Sequence, residues 1–149
     1  MDDSTIRGGW DRSEIESFLA EYRGPLRLAV STDSGFPLIC SLWFQWNGEK
    51  LVCATTRKAR VVELIEANPR CGFEVAPNEP PYFGVRGRAE ARITEEGANQ
   101  LLESLVSRYL GTTEGRFARW LLNREEEEVV IELDVRWITS WDYRDRMNR

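Results

Sequence analysis

The sequence predicts a mainly β fold with peripheral helices, in which about six antiparallel strands close, or nearly close, into a barrel. Three observations predict it. Strand-like runs rich in β-branched and aromatic residues follow one another along the 149-residue chain. Turn signals such as Asp33-Ser34-Gly35 and Asn47-Gly48 join them at hairpin spacing. Closure removes the exposed edges that such a series would otherwise leave. The length fits one domain, and a chain of this size buries roughly 68–70% of its unfolded surface without staples.

Each element has a local cause. Asp11 and Glu14 have the spacing of a capping box, with Trp10 before it and Ile15 where a hydrophobic staple closes. Ile15, Phe18, Leu19 and Tyr22 share one helical face, so a helix is expected from Asp11 to Tyr22, stopped by Gly24 and Pro25. Leu26 to Thr32 reads as a strand and Phe36 to Trp46 as a second, long one. Asn47-Gly48 predicts a type I′ turn into a third strand, Lys50 to Thr55, completing a meander. Ala59 to Ala67 switches to helical period through Val61, Val62, Leu64 and Ile65, and Asn68-Pro69 ends it.

Cys71 to Ala76 is a strand, and the proline-rich segment from Pro77 to Pro81 is a loop. Tyr82 to Thr94 is another long strand, with Gly84 and Gly87 as bulges or points of close backbone approach. A helix starts at Thr94-Glu95-Glu96, presents Leu101, Leu102, Leu105, Tyr109 and Leu110, and is capped by Gly111. Glu114 to Asn123 is a shorter helix carrying Phe117, Trp120 and Leu121. The four glutamates from Glu125 to Glu128 read as a solvated turn. Val129 to Val135 and Trp137 to Tyr143 are the last strands.

Composition narrows the function. The net charge of -5 argues against a nucleic-acid partner, because phosphate neutralisation supplies most non-specific binding. No apolar run of ~18 residues suggests a membrane span. Cys40, Cys53 and Cys71 form no C-x-x-C pair and read as small buried hydrophobes, which suits a reducing, cytoplasmic setting. The start, Met1 to Trp10, lacks the pattern of a signal peptide. The chain has no histidine, which removes Ser-His-Asp and Cys-His catalysis and His-ligated zinc or haem. No metal site is expected.

The stretch that carries chemistry runs from Ala54 through Thr55, Thr56, Arg57, Lys58 and Ala59 to Arg60. It follows a strand and opens a helix, where unpaired N–H groups and the helix dipole attract an anion. Arg57 and Arg60 are suited to grip a phosphate through paired donors, Lys58 adds a point charge, and Thr55 or Thr56 a hydroxyl. The plain alternative is a basic surface turn capped by a threonine. Two aromatic features stand beside it. Ser41 and Trp43 lie on a strand where they could flank a flat ring, although a strand buried on both faces, or a dimer contact, also explains Trp43. Trp137, Trp141 and Tyr143 near the chain end, and Tyr82 on its stiff proline loop, suit a lid, a subunit contact or simple packing.

In their order and spacing four stretches resemble the pyridoxamine-phosphate-oxidase-like family of flavin-binding split barrels. They are the strand pair Leu28–Thr32 and Pro37–Phe44, the turn from Ala54 to Arg60, the helix end Ala67-Asn68-Pro69-Arg70, and the strand from Val85 to Glu90. The resemblance covers Arg27 to Ile93 and Val129 to Tyr143. It implies a six-stranded antiparallel split barrel, a homodimer, and two flavin sites at the subunit interface. Thr55 and Arg60 match the family's Thr and Arg at the phosphate. Where the family often has Ser-Arg-Lys, this chain has Ala59-Arg60-Val61, so Arg57 and Lys58 take over the missing contacts. Ser41, Leu42 and Trp43 fall where family members run backbone past the ring, and Tyr82 and Trp141 fall to the substrate or partner-subunit side.

The implied activity is a flavin-dependent oxidoreductase using FMN on a small molecule. Alternatives are a reductase using the deazaflavin coenzyme F-420, and a non-catalytic flavin- or tetrapyrrole-binding module. An oligonucleotide-binding barrel is opposed by the charge. The additional substrate-binding segment of the vitamin B6 oxidase has no counterpart in this sequence.

Overall fold

Alternation of buried and exposed residues builds the wall of the molecule. The structure, a computed structural model, describes residues 1–148. In β2 (Leu26–Val30), Leu26, Leu28 and Val30 point inward while Arg27 and Ala29 point out. The same period runs through β6 (Arg70–Val75), with Cys71, Phe73 and Val75 inside, and β7 (Phe83–Thr94), with Val85, Ala89 and Ala91 inside. The other strands are β1 (Ile6–Arg7), β3 (Leu38–Leu42), β4 (Phe44–Trp46), β5 (Leu51–Thr56) and β8 (Glu128–Asp142).

The sheet runs β3-β2-β6-β7-β8-β5-β4, antiparallel throughout, and β1 adds a short parallel pair to β8. Its two ends, β3 and β4, are one stretch of chain interrupted at Trp43. The sheet therefore closes through a single bent strand, which gives six barrel strands when β3 and β4 are counted together. The expected meander keeps its pairing order, and what differs is its middle strand. The run from Phe36 to Trp46 does not pair along its length with one neighbour: Leu38–Leu42 pairs with β2 and Phe44–Trp46 with β5.

Two further expectations are corrected. Val129–Val135 and Trp137–Tyr143 are not separate strands but one, β8, with a bulge at Arg136, since Arg88 faces Trp137 and Ala89 faces Val135. The extra residue shifts the inward set from Val129, Ile131, Leu133 and Val135 to Ile138 and Ser140, and the phase change reads in sequence as a break. The hairpin after β4 turns on Gly48-Glu49, not Asn47-Gly48: the Asn47 N–H donates to the Lys50 carbonyl at 3.1 Å. Only Gly48 takes positive φ, at 95°, so a type I′ turn does not form. The Asn47 side chain instead accepts from the Glu49 and Lys50 N–H groups.

Helix α1 (Arg12–Glu21) has the capping box of Asp11 and Glu14 in full, and buries Ile15 and Leu19 in the barrel core with Phe44, Leu51 and Leu133. Its C-terminal carbonyls at Leu19, Ala20 and Tyr22 accept from the Arg108 guanidinium. Helix α2 (Arg60–Ala67) adds Val61, Val62, Leu64 and Ile65 to the same core. Helix α3 (Ala98–Leu110) starts four residues later than expected, behind left-handed Gly97, and α4 (Arg116–Asn123) follows. These two cover the outside of β5 and β8 through Leu102, Val106, Ala118 and Leu121. A final short helix, α5, spans Arg144–Met147. Burial pushes the Cys71 thiol up to about 11 and the Cys53 thiol further, which fits small hydrophobes and not thiolates.

Candidate functional site

The turn singled out in the sequence leaves β5 at Thr56 and enters α2 at Arg60. Its backbone is tied down: the Arg57 N–H donates to the Glu127 carbonyl at 2.9 Å and the Ala59 N–H to the Thr56 carbonyl at 3.0 Å. The N-cap of α2 is Ala59, which has no side chain to satisfy the first turn. That leaves helix N–H groups pointing out beside three cations, the arrangement an anion favours. Arg57 lies 3.7 Å from Glu66 and Arg60 3.2 Å from Glu63, both pairs largely exposed. Such pairs hold little energy and yield readily to a phosphate. A groove of about 570 Å³ adjoins Arg57, lined also by Ile65, Ile93 and Arg92 and by the carboxylates Glu66, Glu95 and Glu96, so it is Arg57 alone of the turn that borders it.

Ser41, Leu42 and Trp43 come close to this turn by topology. Phe44 pairs with Cys53, so extending the register two residues back sets Leu42 level with Thr55. At that point β3 peels away to β2, and one edge of β3 and the end of β5 face a split without a strand between them. Unpaired strand edges present backbone donors and acceptors to whatever enters. Trp43 itself lies flat on Tyr109, ring centres 5.0 Å apart and 4° from parallel, and packs beside Ala54 under α3 and α4. The Tyr109 hydroxyl accepts from the Phe44 N–H at 3.1 Å and donates to the Gly24 carbonyl at 2.9 Å. The Trp43 ring is therefore committed to packing.

Tyr82 and Trp141 are not brought to this place within one protomer. Thr56 pairs with Glu128, at the other end of β8 from Trp141, roughly 40 Å away along the strand. Tyr82 donates its N–H to the Met147 sulfur, and its carbonyl accepts from Tyr143. Trp141 carries the Arg86 guanidinium 5.6 Å from its ring centre.

Sequence reasoning passed over several polar groups. The outer face of β3, β2, β6, β7 and the end of β8 carries Arg86 and Arg88, with Arg88 over Trp137 at 5.1 Å. Grooves of about 480 and 650 Å³ lie there, floored by Ala29 and Gly72 and lined by no helical residue. Ile39, 67% exposed, stands on the same face. The alternation Val85-Arg86-Gly87-Arg88 was the available signal. The second group corrects the solvated-turn expectation: Glu128 is only 6% exposed. It is ion-paired to Arg124, while its Oε2 has no hydrogen-bond partner among the described residues. It sits across the strand pair from Thr56, so a buried acceptor adjoins the candidate site.

Among the described residues no helix is long and apolar enough to cross a membrane. The family model described as pyridoxamine 5′-phosphate oxidase matches residues 12–142. The fold is similar to that of the conserved hypothetical protein Rv2991 from Mycobacterium tuberculosis, at TM-score 0.75 and 22% identity, over 93% of this chain and 88% of that one. An F420 reductase is similar at TM-score 0.67 and 26% identity, over 83% and 94% of the two chains. The haem storage protein HutZ from Vibrio cholerae has TM-score 0.64 and 20% identity, over 85% and 92%. No curated protein matches the chain in sequence.

Proposed function

The chain belongs to the pyridoxamine 5′-phosphate oxidase family, and from that premise we propose that it is an FMN-dependent oxidoreductase acting on a small molecule. The observation that carries the proposal is the uncapped start of α2, set between three cations and opening beside the split in the barrel. FMN supplies hydride and single-electron transfer wherever it is bound. The chain's own part is to hold it. Arg57, Lys58 and Arg60 neutralise the phosphate, and Thr55 and Thr56 offer it hydroxyls. Backbone groups from Ser41 to Trp43 bond the edge of the ring. Glu128 Oε2, an acceptor lacking a donor among the described residues, fits a ligand that carries hydroxyl groups.

The site is completed by a second copy. The uncovered outer sheet face, with Ile39, Arg86, Arg88 and Trp137, is the dimer surface of this proposal. That contact accounts for Tyr82 and Trp141, which reach a cofactor only as Tyr82 of the partner subunit and Trp141 of the partner subunit. The protein then works as a homodimer without nucleic acid or membrane, in the cytoplasm.

One observation favours a second reading, a reductase using the deazaflavin coenzyme F-420. The F420 reductase is 26% identical over most of both chains, and Ala59 and Val61 stand where a serine and lysine would grip FMN. Titration of the purified protein with FMN, riboflavin and F-420, followed by flavin fluorescence, separates these. FMN is expected to bind at least about tenfold more tightly than riboflavin, because only FMN has the phosphate. Tighter binding of F-420 transfers the assignment to the deazaflavin, and no saturable binding of any of the three removes it.

A further inference from the structure

At the far end of the barrel from the turn, four aromatic rings gather without closing into core. Trp10 and Phe18 have ring centres 5.2 Å apart, Phe18 and Phe83 5.8 Å, and Trp10 and Phe83 6.2 Å. Tyr22 stacks on Phe18 at 5.3 Å. All four are only half-buried and border a groove of about 520 Å³. Ser13, Glu14, Ser17 and Glu21 of α1 form its rim, so its lining holds two carboxylates and one cation, Arg144.

That cation is already in place. The Arg144 guanidinium lies 4.3 Å from the Phe83 ring centre and 5.8 Å from the Trp10 ring centre. Asp142 orients it, the Arg144 Nε donating at 2.9 and 3.1 Å, and Trp10 Nε1 donates to the same carboxylate at 3.1 Å. The guanidinium holds the Asp142 carboxyl down at about 2, so the anion persists at neutral pH. Arg144 is held by Asp142 through its backbone N–H and its guanidinium, but it is not buried. It opens the four-residue helix α5, and its side chain remains 47% exposed.

We propose that this groove is a binding site for an organic cation, an alkylated ammonium or a guanidinium, and that Arg144 is its displaceable resident. Ring faces attract cations through their quadrupoles, most strongly where water is partly excluded. Acidic rim residues add attraction of the same sign. The groove shares no residue with the turn or the split, but Phe83 and Asp142 adjoin Tyr82 and Trp141, which the dimer reading gives to the partner subunit's cofactor; its binding is therefore measured without flavin.

The test uses Arg144→Gln, which removes the resident while leaving the rings. Choline and Nα-acetyl-arginine amide serve as probes by ligand-observed NMR, with 3,3-dimethylbutanol as the uncharged counterpart of choline. Removing a resident that occupies the ring faces most of the time raises apparent affinity by about tenfold or more. The expected result is that gain for at least one cation, its loss on adding Phe83→Leu, and no comparable binding of the alcohol. The tighter probe tells a free cation from a peptide side chain. No gain in Arg144→Gln, equal binding after Phe83→Leu, or equal binding of the alcohol overturns the proposal. Far-ultraviolet circular dichroism of each variant confirms that the fold is retained.

Discussion

Replacing Arg57 and Arg60 together by glutamine is expected to weaken FMN binding by about 100-fold and to leave folding nearly unchanged. Each arginine contributes a hydrogen bond to a charged group, roughly 1.5–3 kcal/mol, so losing two removes on the order of 3 kcal/mol. Their present partners, Glu66 and Glu63, are half or more exposed, and exposed pairs add little to stability. Riboflavin affinity should stay within about twofold, because riboflavin has no phosphate to lose. Fluorescence titration of both ligands, with thermal melts alongside, measures the effect. An equal loss for FMN and riboflavin would show that the arginines shape the site and do not bind phosphate.

Gly87→Val is expected to be the most damaging single substitution in the barrel wall. A Cβ at Gly87 would stand 2.4 Å from the Trp137 carbonyl oxygen and 2.7 Å from Phe73 Cζ. The first neighbour is backbone of β8, held in the β7–β8 ladder beside the Arg136 bulge, so it cannot step aside. Overpacking costs about 1–3 kcal/mol where side chains can shift, and more where backbone must. A loss of about 3 kcal/mol or more lowers the melting temperature by roughly 10 °C in a chain of this length. Gly9→Ala, where nothing lies within 4 Å, is the control and should melt within about a degree of the parent. A Gly87→Val protein as stable as the control would mean that the two strands are not in this register.

Where cause was local, the sequence was legible. Asp11 and Glu14 declared the start of α1, Gly111 the end of α3, and Val61 to Ile65 the buried side of α2. The period-two strands and the closed antiparallel plan could be read for the same reason. What escaped was set by distant contacts. The break at Trp43 depends on Tyr109, 66 positions further along, and on two different strands pairing on either side of it. The bulge at Arg136 inverts the inward phase of β8, and no residue there announces it. Glu128 looked like part of a charge run because its partner Arg124 and its burial beside β5 are tertiary facts.

The candidate site divides in the same way. The cationic turn is contiguous, so its residues stood out together, and the strand break sets Ser41 and Leu42 near Thr55. Tyr82 and Trp141 both lie at the opposite end of the β7–β8 pair. No reading of one chain could place them near the turn without a second protomer. The arginine row on β7 was visible as an alternation, but its meaning depended on knowing that no helix covers that face.

Backbone amide shifts on adding FMN test the central claim most directly. In the uniformly 15N-labelled protein, saturating FMN should displace the amides of Arg57 to Val61 and of Ser41 to Trp43. Riboflavin should move the second group and leave the first nearly still. Shifts confined to other parts of the barrel, or none at all, would contradict a phosphate seat at the start of α2.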